Sequence, residues 1–291
     1  MTDDTAPLRK PQRFRVLRAY ARSPAGLIGL VLLVGVVAMA LSADWFFPRD
    51  PMALAGRPLQ WPGTNPRVPW GTDNVGRDIA AFIFHGARVS LLIGLAATIV
   101  AVGLGILVGA VAGYYGGWVD DLLMRITEAF QTVPNFILLL VLVAVFGSDL
   151  ATIVTGIGVV GWTAPCRLVR AEFLTLRHRE FVLAGRGLGM RDPQLIFREI
   201  LPNALPPVIV YASVVMAVAI LLESALAFLG LSDPNIASWG NMIGGGRSVL
   251  RSEWYVSAIP GVAILGTVLA FSLVGQGLND ALNPRLQVHQ A

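Results

Sequence analysis

The feature that most constrains this chain is a series of long apolar stretches, each close to the length that a helix needs to cross a membrane. The hydrocarbon core of a bilayer is about 30 Å thick, which a helix of about 20 residues spans. Six stretches qualify, and charged residues make up only 14% of the sequence, against about 25% in a typical soluble domain. The sequence therefore predicts an all-α fold, a polytopic membrane helix bundle with six transmembrane helices. The predicted spans are residues 25–47, 89–112, 122–146, 150–169, 204–229 and 256–278.

The first of these spans admits a second interpretation, as a signal peptide. Basic residues precede the first span, and Ala40-Leu41-Ser42 resembles a signal-peptide cleavage site. However, its apolar run is longer than the hydrophobic region of a signal peptide, which usually has about 7–15 residues. We therefore predict an uncleaved first helix. The fourth span is the weakest, because Pro165 and Arg167 fall near its end. Small residues in the second span suit close helix contacts; they are Gly94, Gly103, Gly105, Gly109 and Gly113.

The distribution of basic residues predicts the orientation of the bundle. Most of the 22 lysines and arginines lie in residues 1–24 and 167–203. Basic residues are enriched on the cytoplasmic side of membrane proteins, so both termini are predicted to be cytoplasmic. The N-terminal basic run then sets topology and does not bind nucleic acid. The predicted organisation is a cytoplasmic segment (1–24), a first transmembrane helix (25–47), an outer loop (48–88), a five-helix core (89–279) and a cytoplasmic tail (280–291).

The sequence lacks the residue patterns of several catalytic and metal sites. Cys166 is the only cysteine, and His85, His178 and His289 are too scattered for a metal-ligand spacing. No glycine-rich phosphate loop precedes the only lysine, Lys10, which excludes a P-loop ATP site. A membrane hydrolase would need a nucleophile beside a base, but the predicted orientation places His85 outside and His178 inside. We therefore predict no catalytic residue, no metal and no cofactor in this chain.

A charged segment at residues 172–203 separates the fourth and fifth spans and has the pattern of two short helices joined by a glycine turn. Such a compact element could lie on lipid headgroups as an amphipathic element, or it could dock a cytoplasmic partner. The predicted features are a helix from Glu180, its end at Gly187 and Gly189 with Gly189 as a left-handed cap, an N-cap at Asp192 followed by Pro193, and a second helix at 194–201 that stops at Pro202.

Within this segment, EFVLAGRGLGMRDPQLIFREILPN (180–203) resembles the EAA loop of permease subunits from binding-protein-dependent ABC importers. Further stretches are similar, in the same order, to the oligopeptide/dipeptide/nickel branch of that family, and the best match is the dipeptide-type "C" permease. Together they cover most of the chain from residue 70 onward. They are WGTDNVGRD (70–78), HGARVSLL (85–92), LESALAFLGL (222–231), SWGNM (238–242) and GQGLNDALNPR (275–285).

The resemblance implies a type I ABC importer permease fold in which residues 172–203 couple the chain to an ATPase. In the family, the short helix of this loop docks in a groove of the ATPase and transmits nucleotide-driven closure to the membrane. Two positions depart from the motif: Leu183 stands where Glu is common, and Gly185 replaces the second Ala, so a carboxylate contact from position 183 is not expected. The implied coupling residues are Glu180, Ala184, Gly185, Gly189, Asp192, Leu201 and Pro202.

The resemblance also implies partners. A second homologous permease would complete the solute path, two cytoplasmic ABC ATPases would bind ATP and Mg, and an extracytoplasmic solute-binding protein would deliver the solute. The chain would lie in the bacterial inner membrane and serve the import of dipeptides or oligopeptides. A nickel chelate or a glutathione-like compound is the alternative solute within the same family.

Two glutamates in the predicted spans, Glu223 and Glu128, are candidates for the solute path, because ionisable groups inside a membrane are usually functional. For Glu223 the favoured alternative is a buried carboxylate hydrogen bonded to a neighbouring helix, and Glu128 is expected near the inner interface. A proton-coupled secondary transporter with Glu223 as a relay is a rival, but it predicts internal repeats, and no convincing duplication is found in the sequence. Pro134 is predicted to kink the third span.

Overall fold

The computed structural model describes residues 17–282, and every regular element in that range is helical. The basic run at residues 9–15, most of the predicted tail and the end of GQGLNDALNPR lie outside the described residues. The helices used below are, in chain order, α1 (Pro24–Phe46), α2 (Ile79–Tyr115), α3 (Gly117–Thr132), α4 (Asn135–Phe146), α5 (Leu150–Gly161), α6 (Thr163–Leu176), α7 (Glu180–Gly187), α8 (Asp192–Phe228), α9 (Trp239–Gly246) and α10 (Tyr255–Leu282).

Four of these helices, α1, α2, α8 and α10, are long and apolar enough to span a membrane, and two bent pairs bring the number of candidate spans to as many as six. Helices α3 and α4 meet at 83°, and α5 and α6 meet at 43°. The third span, predicted over 122–146 with a kink at Pro134, is a bent pair of helices that begins at Gly117. Val133 is extended between α3 and α4, because the following Pro134 disfavours helical dihedrals at the residue before it. The predicted kink at Pro134 is a break.

Helix α2 begins at Ile79, ten residues before the predicted start at residue 89, and it contains 37 residues. The side chain of Asp78 caps it by accepting a hydrogen bond from the Ala80 N–H at 2.9 Å. The predicted start of this helix at residue 89 was too late, because the polar side chains of His85 and Arg88 resemble those of loop residues in the sequence. In the structure both side chains bind the end of α1, so they lie on a helix and not in the outer loop.

Glycines on α2 allow α6 to pack closely against it. A side-chain carbon added at Gly105 would lie 2.6 Å from Pro165 Cβ, and one added at Gly113 would lie 2.6 Å from Phe173 Cβ. Such close approach through small residues is typical of membrane helices. Residue numbers rise together along this contact, so α6 runs parallel to α2.

The helix ends form two faces of the bundle. The start of α1 meets the end of α10 where Gly26 packs against Gly277, and the end of α2 meets the start of α8 through Tyr114 and Asp192. The end of α6 leads into α7 at the same face. We call this face the hairpin end, after the hairpin formed by residues 180–203. The opposite face carries the segment between α1 and α2 together with α9.

Candidate functional site

Residues 180–203, called the hairpin below, begin with a short helix that ends at a glycine turn. After α7, Gly189 adopts a left-handed conformation with φ of +81°. Its N–H donates to Arg186 O at 3.0 Å, and the Met190 N–H donates to Gly185 O at 3.1 Å. This pair of hydrogen bonds is a Schellman motif, which closes a helix by reversing the chain. The predicted left-handed cap at Gly189 is confirmed.

The second half of the hairpin differs from the prediction. Asp192 was predicted to be the N-cap, but it is the first residue of helix α8, and Arg191 is the N-cap. The helix does not stop at Pro202 but continues through it into the membrane span. The turn before the proline is π-helical, and the Leu201 N–H donates to Ile196 O, five residues back. This wider turn accommodates the proline ring, so the predicted helix end at Pro202 is wrong.

One side of the hairpin is buried against the transmembrane helices. Val182 on α7, and Leu195 and Ile200 on α8, are fully buried. They share a cluster with Tyr114 at the end of α2 and Phe173 of α6. Complete burial of an apolar side chain of this size contributes about 1.5–3 kcal/mol. The hairpin is therefore packed on the ends of α2 and α6, and it continues directly into the rest of α8.

Polar contacts reinforce this attachment. The Tyr114 hydroxyl donates to Asp192 Oδ1 at 2.6 Å, and Arg186 Nη2 donates to the Tyr114 hydroxyl at 3.4 Å. Arg177 Nη1 donates to the backbone oxygens of Gly113 and Tyr114 at 3.2 and 3.3 Å. These side chains line a groove of about 380 Å³ at the hairpin end. Asp192, which the resemblance implies as a coupling residue, thus anchors the hairpin to α2.

Sequence reasoning did not single out Tyr114, Arg177 or Arg186. Tyr114 and Asp192 are 78 residues apart in the chain, and nothing in the sequence marks the two as neighbours. The only available signal is the arginine content of residues 172–203, which indicates orientation in the membrane but does not identify the partner of any one arginine.

The exposed surface of the hairpin is partly apolar. Leu183, which also lines the groove beside Tyr114, is 51% exposed, Leu188 86% and Phe197 63%. Large apolar side chains on an exposed element indicate an interaction surface. Of the predicted coupling residues, Gly185 is buried, Leu201 is half-buried, and the remainder are exposed; these are Glu180, Ala184, Gly189, Asp192 and Pro202.

The burial of Gly185 explains one departure from the family motif. A side-chain carbon added there would lie 2.9 Å from Met190 Sδ and 3.0 Å from Leu195 Cδ2. Alanine, which the motif has at this position, would require these two flexible side chains to move. The glycine therefore fits the packing of this particular hairpin.

Glu223 lies far from the hairpin, at the opposite end of α8, and is 1% exposed. The Ser238 hydroxyl donates to Glu223 Oε1 at 2.7 Å. Ser238 is also the N-cap of α9, and next to it the Trp239 indole donates to Ile83 O at 2.9 Å. Glu223 therefore fastens α9 to the bundle through a hydrogen bond of the kind that the favoured alternative expects, and a part in the solute path stays a prediction.

Glu128, the second glutamate, is exposed in the last turns of α3, at the end of that helix away from Gly117. Cys166 is buried on α6. Within residues 17–282, no group of three or more His, Cys, Asp or Glu side chains is arranged to hold a metal ion.

The bundle with its bent spans, and the hairpin fixed to one end of it, have the length and composition of a membrane protein that crosses the bilayer several times. Residues 105–288 match the family described as "Binding-protein-dependent transport system inner membrane component". The chain belongs to this family.

Two named relatives match nearly the whole chain. A di/tripeptide transport system permease protein of Pseudomonas aeruginosa is 37% identical over 93% of this chain and 91% of its own length. A dipeptide transport system permease protein of Alkalihalophilus pseudofirmus is 34% identical over 91% of this chain and 88% of its own length.

A solved structure agrees with the fold. The inward-facing MetNI methionine ABC transporter contains a chain that aligns with a TM-score of 0.54, covering 69% of this chain and 97% of that one. The sequences are 15% identical, so the likeness concerns the fold alone. It confirms the predicted ABC importer permease fold.

Proposed function

We propose that this chain is the membrane subunit of an ATP-driven importer of dipeptides and oligopeptides, and that a partner ATPase moves it through the hairpin. Family membership supports the importer role, and the names of the relatives in Pseudomonas aeruginosa and Alkalihalophilus pseudofirmus support the solute class. The chain needs no catalytic residue of its own for this function. A hydrophilic solute crosses hydrocarbon only where a polar path opens.

One observation supports ATPase coupling most directly, namely the two-sided character of the hairpin. One side of it is buried against α2 and α6, and it continues into α8, while Leu183, Leu188 and Phe197 are exposed. A partner that binds this apolar tip gains its affinity from the burial of these side chains. Movement of the partner would then pass to three transmembrane helices at once, because the hairpin is fixed to all of them.

The proposed complex follows from this role. A second homologous permease pairs with this chain to form the path, and two cytoplasmic ATPases bind the hairpins and carry the ATP and Mg. A soluble solute-binding protein delivers the solute on the other side. In the bacterial inner membrane, both termini and the hairpin are cytoplasmic, in keeping with the basic residues near them.

Cross-linking in the assembled transporter tests the docking surface. In a Cys166→Ser background, Leu188→Cys should form a cross-link to the ATPase with a short bifunctional reagent. Leu41→Cys is the matched control, because Leu41 is 74% exposed and lies toward the end of α1 that meets the start of α2, opposite the hairpin end. Absence of a cross-link from position 188, or an equal yield from position 41, would contradict the proposed docking.

The solute class is tested separately by uptake into vesicles that contain the complete transporter. Labelled dipeptide should be accumulated, and unlabelled dipeptides should compete. Accumulation of a nickel chelate or of glutathione without competition by dipeptides would identify the alternative solute within the family.

A further inference from the structure

The groove at the hairpin end has more positive than negative charge. Arg177 and Arg186 line it, and Asp192 is the one carboxylate among its lining residues. Neither arginine forms an ion pair within residues 17–282, and Asp192 accepts a hydrogen bond from the Tyr114 hydroxyl instead. The groove therefore contains two guanidinium groups that no carboxylate in this part of the chain neutralises directly.

The contacts that position these arginines use only some of their donors. Arg177 Nη1 donates to the backbone oxygens of Gly113 and Tyr114. Arg186 Cζ lies 5.9 Å from the centre of the Tyr114 ring, and its Nη2 makes only a long hydrogen bond, of 3.4 Å, to the Tyr114 hydroxyl. A guanidinium carries five N–H donors, and the fork that they form matches two oxygens of a phosphate group. The groove is therefore suited to a ligand that bears a phosphate.

An apolar strip on α2 leads into this groove. Leu107 is 63% exposed, Val111 41% and Tyr115 54%. Residues four apart are neighbours on a helix, so these three form a continuous exposed strip, and Tyr115 at its end lines the groove. The sequence has no charged residue between Arg88 and Tyr115. The strip is therefore suited to an acyl chain whose headgroup lies in the groove.

The length of α2 is consistent with a groove at the level of the phospholipid headgroups. Arg88 binds Asp44 in the last turn of α1, which is itself a candidate span. From Arg88 to Tyr115 the helix is about 40 Å long at 1.5 Å per residue, which exceeds the hydrocarbon core of about 30 Å and is close to the thickness of about 40–45 Å that includes the headgroups. Trp118, just after Tyr115, is 76% exposed, and exposed Trp and Tyr side chains are typical of the membrane interface.

An acidic side chain of the partner ATPase is the rival occupant, because Leu183 lines the groove and also belongs to the surface proposed for docking. The lipid is favoured, because the apolar strip of α2 continues from the groove toward the middle of a membrane helix, where a cytoplasmic protein does not reach. Basic pockets between transmembrane helices on the cytoplasmic side bind the headgroups of anionic lipids. The groove has this character, since its lining residues come from the ends of α2 and α6 and from the hairpin.

We propose that this groove binds the phosphate of an anionic phospholipid of the inner leaflet, with Arg177 and Arg186 as its ligands and one acyl chain along Leu107 and Val111. This inference goes beyond the import function and takes from it only the cytoplasmic side of the hairpin end. The bound lipid contacts the end of α2 and the hairpin together. It therefore adds to the attachment of the hairpin through a component of the membrane itself.

Photolabelling in the complete transporter tests the site, with phosphatidylglycerol that carries a diazirine in one acyl chain as the probe. Arg186→Gln should raise the lipid concentration for half-maximal labelling of residues 107–115 at least about tenfold, because it removes charge-assisted hydrogen bonds to the phosphate. Arg179→Gln is the matched control, because Arg179 is exposed just before the hairpin and does not line the groove. It loses only the general attraction of one charge to the membrane surface and should change that concentration less than about fivefold. Equal weakening in the two variants would overturn the proposal, and unchanged labelling at Leu92 and Ile99 shows that both are folded.

Competition distinguishes the sources of the phosphate. Unlabelled phosphatidylglycerol should displace the probe from residues 107–115, whereas phosphatidylcholine and soluble glycerol phosphate should not do so at the same concentration. Displacement by glycerol phosphate would identify a free phosphate ligand, and equal displacement by phosphatidylcholine would identify ordinary lipid contact; either result would overturn the proposal. Unchanged labelling in Arg186→Gln together with release of the ATPase from the complex would assign the groove to an acidic side chain of the ATPase and would overturn it as well.

Discussion

Gly103 and Gly105 lie two positions apart on α2 but have different surroundings. A side-chain carbon added at Gly105 would lie 2.6 Å from Pro165 Cβ, whereas one added at Gly103 would meet nothing within 4 Å. Gly105→Leu should therefore destabilise the chain by about 1–3 kcal/mol or more, as overpacking does, and Gly103→Leu should have little effect. Thermal unfolding of the purified chain in detergent measures both. Equal shifts in the two variants would contradict the proposed close contact between α2 and α6.

Glu223 distinguishes the hydrogen-bonding role from the proton-relay role. Glu223→Gln keeps an oxygen that accepts from the Ser238 hydroxyl, so dipeptide uptake by the complete transporter should remain within about twofold of the parent. Glu223→Leu leaves that hydroxyl without its partner and should cost about 1–3 kcal/mol of stability. Loss of uptake in the Gln variant at normal expression would favour a titrating carboxylate and count against the hydrogen-bonding role.

For single residues, a role was predictable from the sequence where it depends on the neighbouring residues in the chain, and not where it depends on contacts between distant parts of the chain. The glycines of α2 recur every four residues from Gly105 to Gly113, so a close helix contact was predictable without its partner. A hydrogen bond of Glu223 to a neighbouring element was predictable, but its partner was not, because that depends on where Ser238 lies in the folded chain. The Tyr114–Asp192 contact was not predictable, since side chains at the end of one span and the start of another meet only in three dimensions.

The glycine turn of the hairpin supplies a test at the scale of one element. Gly187 and Gly189 both have open space around them, but only Gly189 has a positive φ. Gly189→Leu should strain the turn by about 1–2 kcal/mol and shift the tip relative to its buried base. The ratio of dipeptide taken up to ATP hydrolysed should then fall, while Gly187→Leu should keep the parent ratio. Unchanged uptake in the Gly189 variant at normal expression would contradict the mechanical role of the hairpin.

The elements themselves were predictable in number but less so in their limits. Apolar length identifies a span, yet it does not reveal that α3 and α4 meet at 83°. Polarity placed the start of α2 too late, because Arg88 and His85 find partners on α1 that the sequence does not show. Pro202 was predicted to stop a helix, but a preceding π-helical turn accommodates it. Each difference arises from tertiary contacts or from the proline context.

At the scale of the whole molecule, α8 links the two ends of the bundle. It begins at Asp192, which is bonded to Tyr114 at the hairpin end, and near its other end it carries Glu223, which is bonded to Ser238 at the cap of α9. A helix of 37 residues is about 55 Å long. A displacement of the hairpin would therefore reach the opposite face of the membrane through one continuous helix.

The central claim is that this chain forms part of the solute path and depends on a partner ATPase for active transport. The most direct measurement is accumulation of labelled dipeptide in vesicles that contain the complete transporter, compared with vesicles that lack only the ATPase subunits. We expect ATP-dependent accumulation above the external concentration in the first and none in the second, with or without a proton gradient. Full accumulation in the absence of the ATPases would contradict the account.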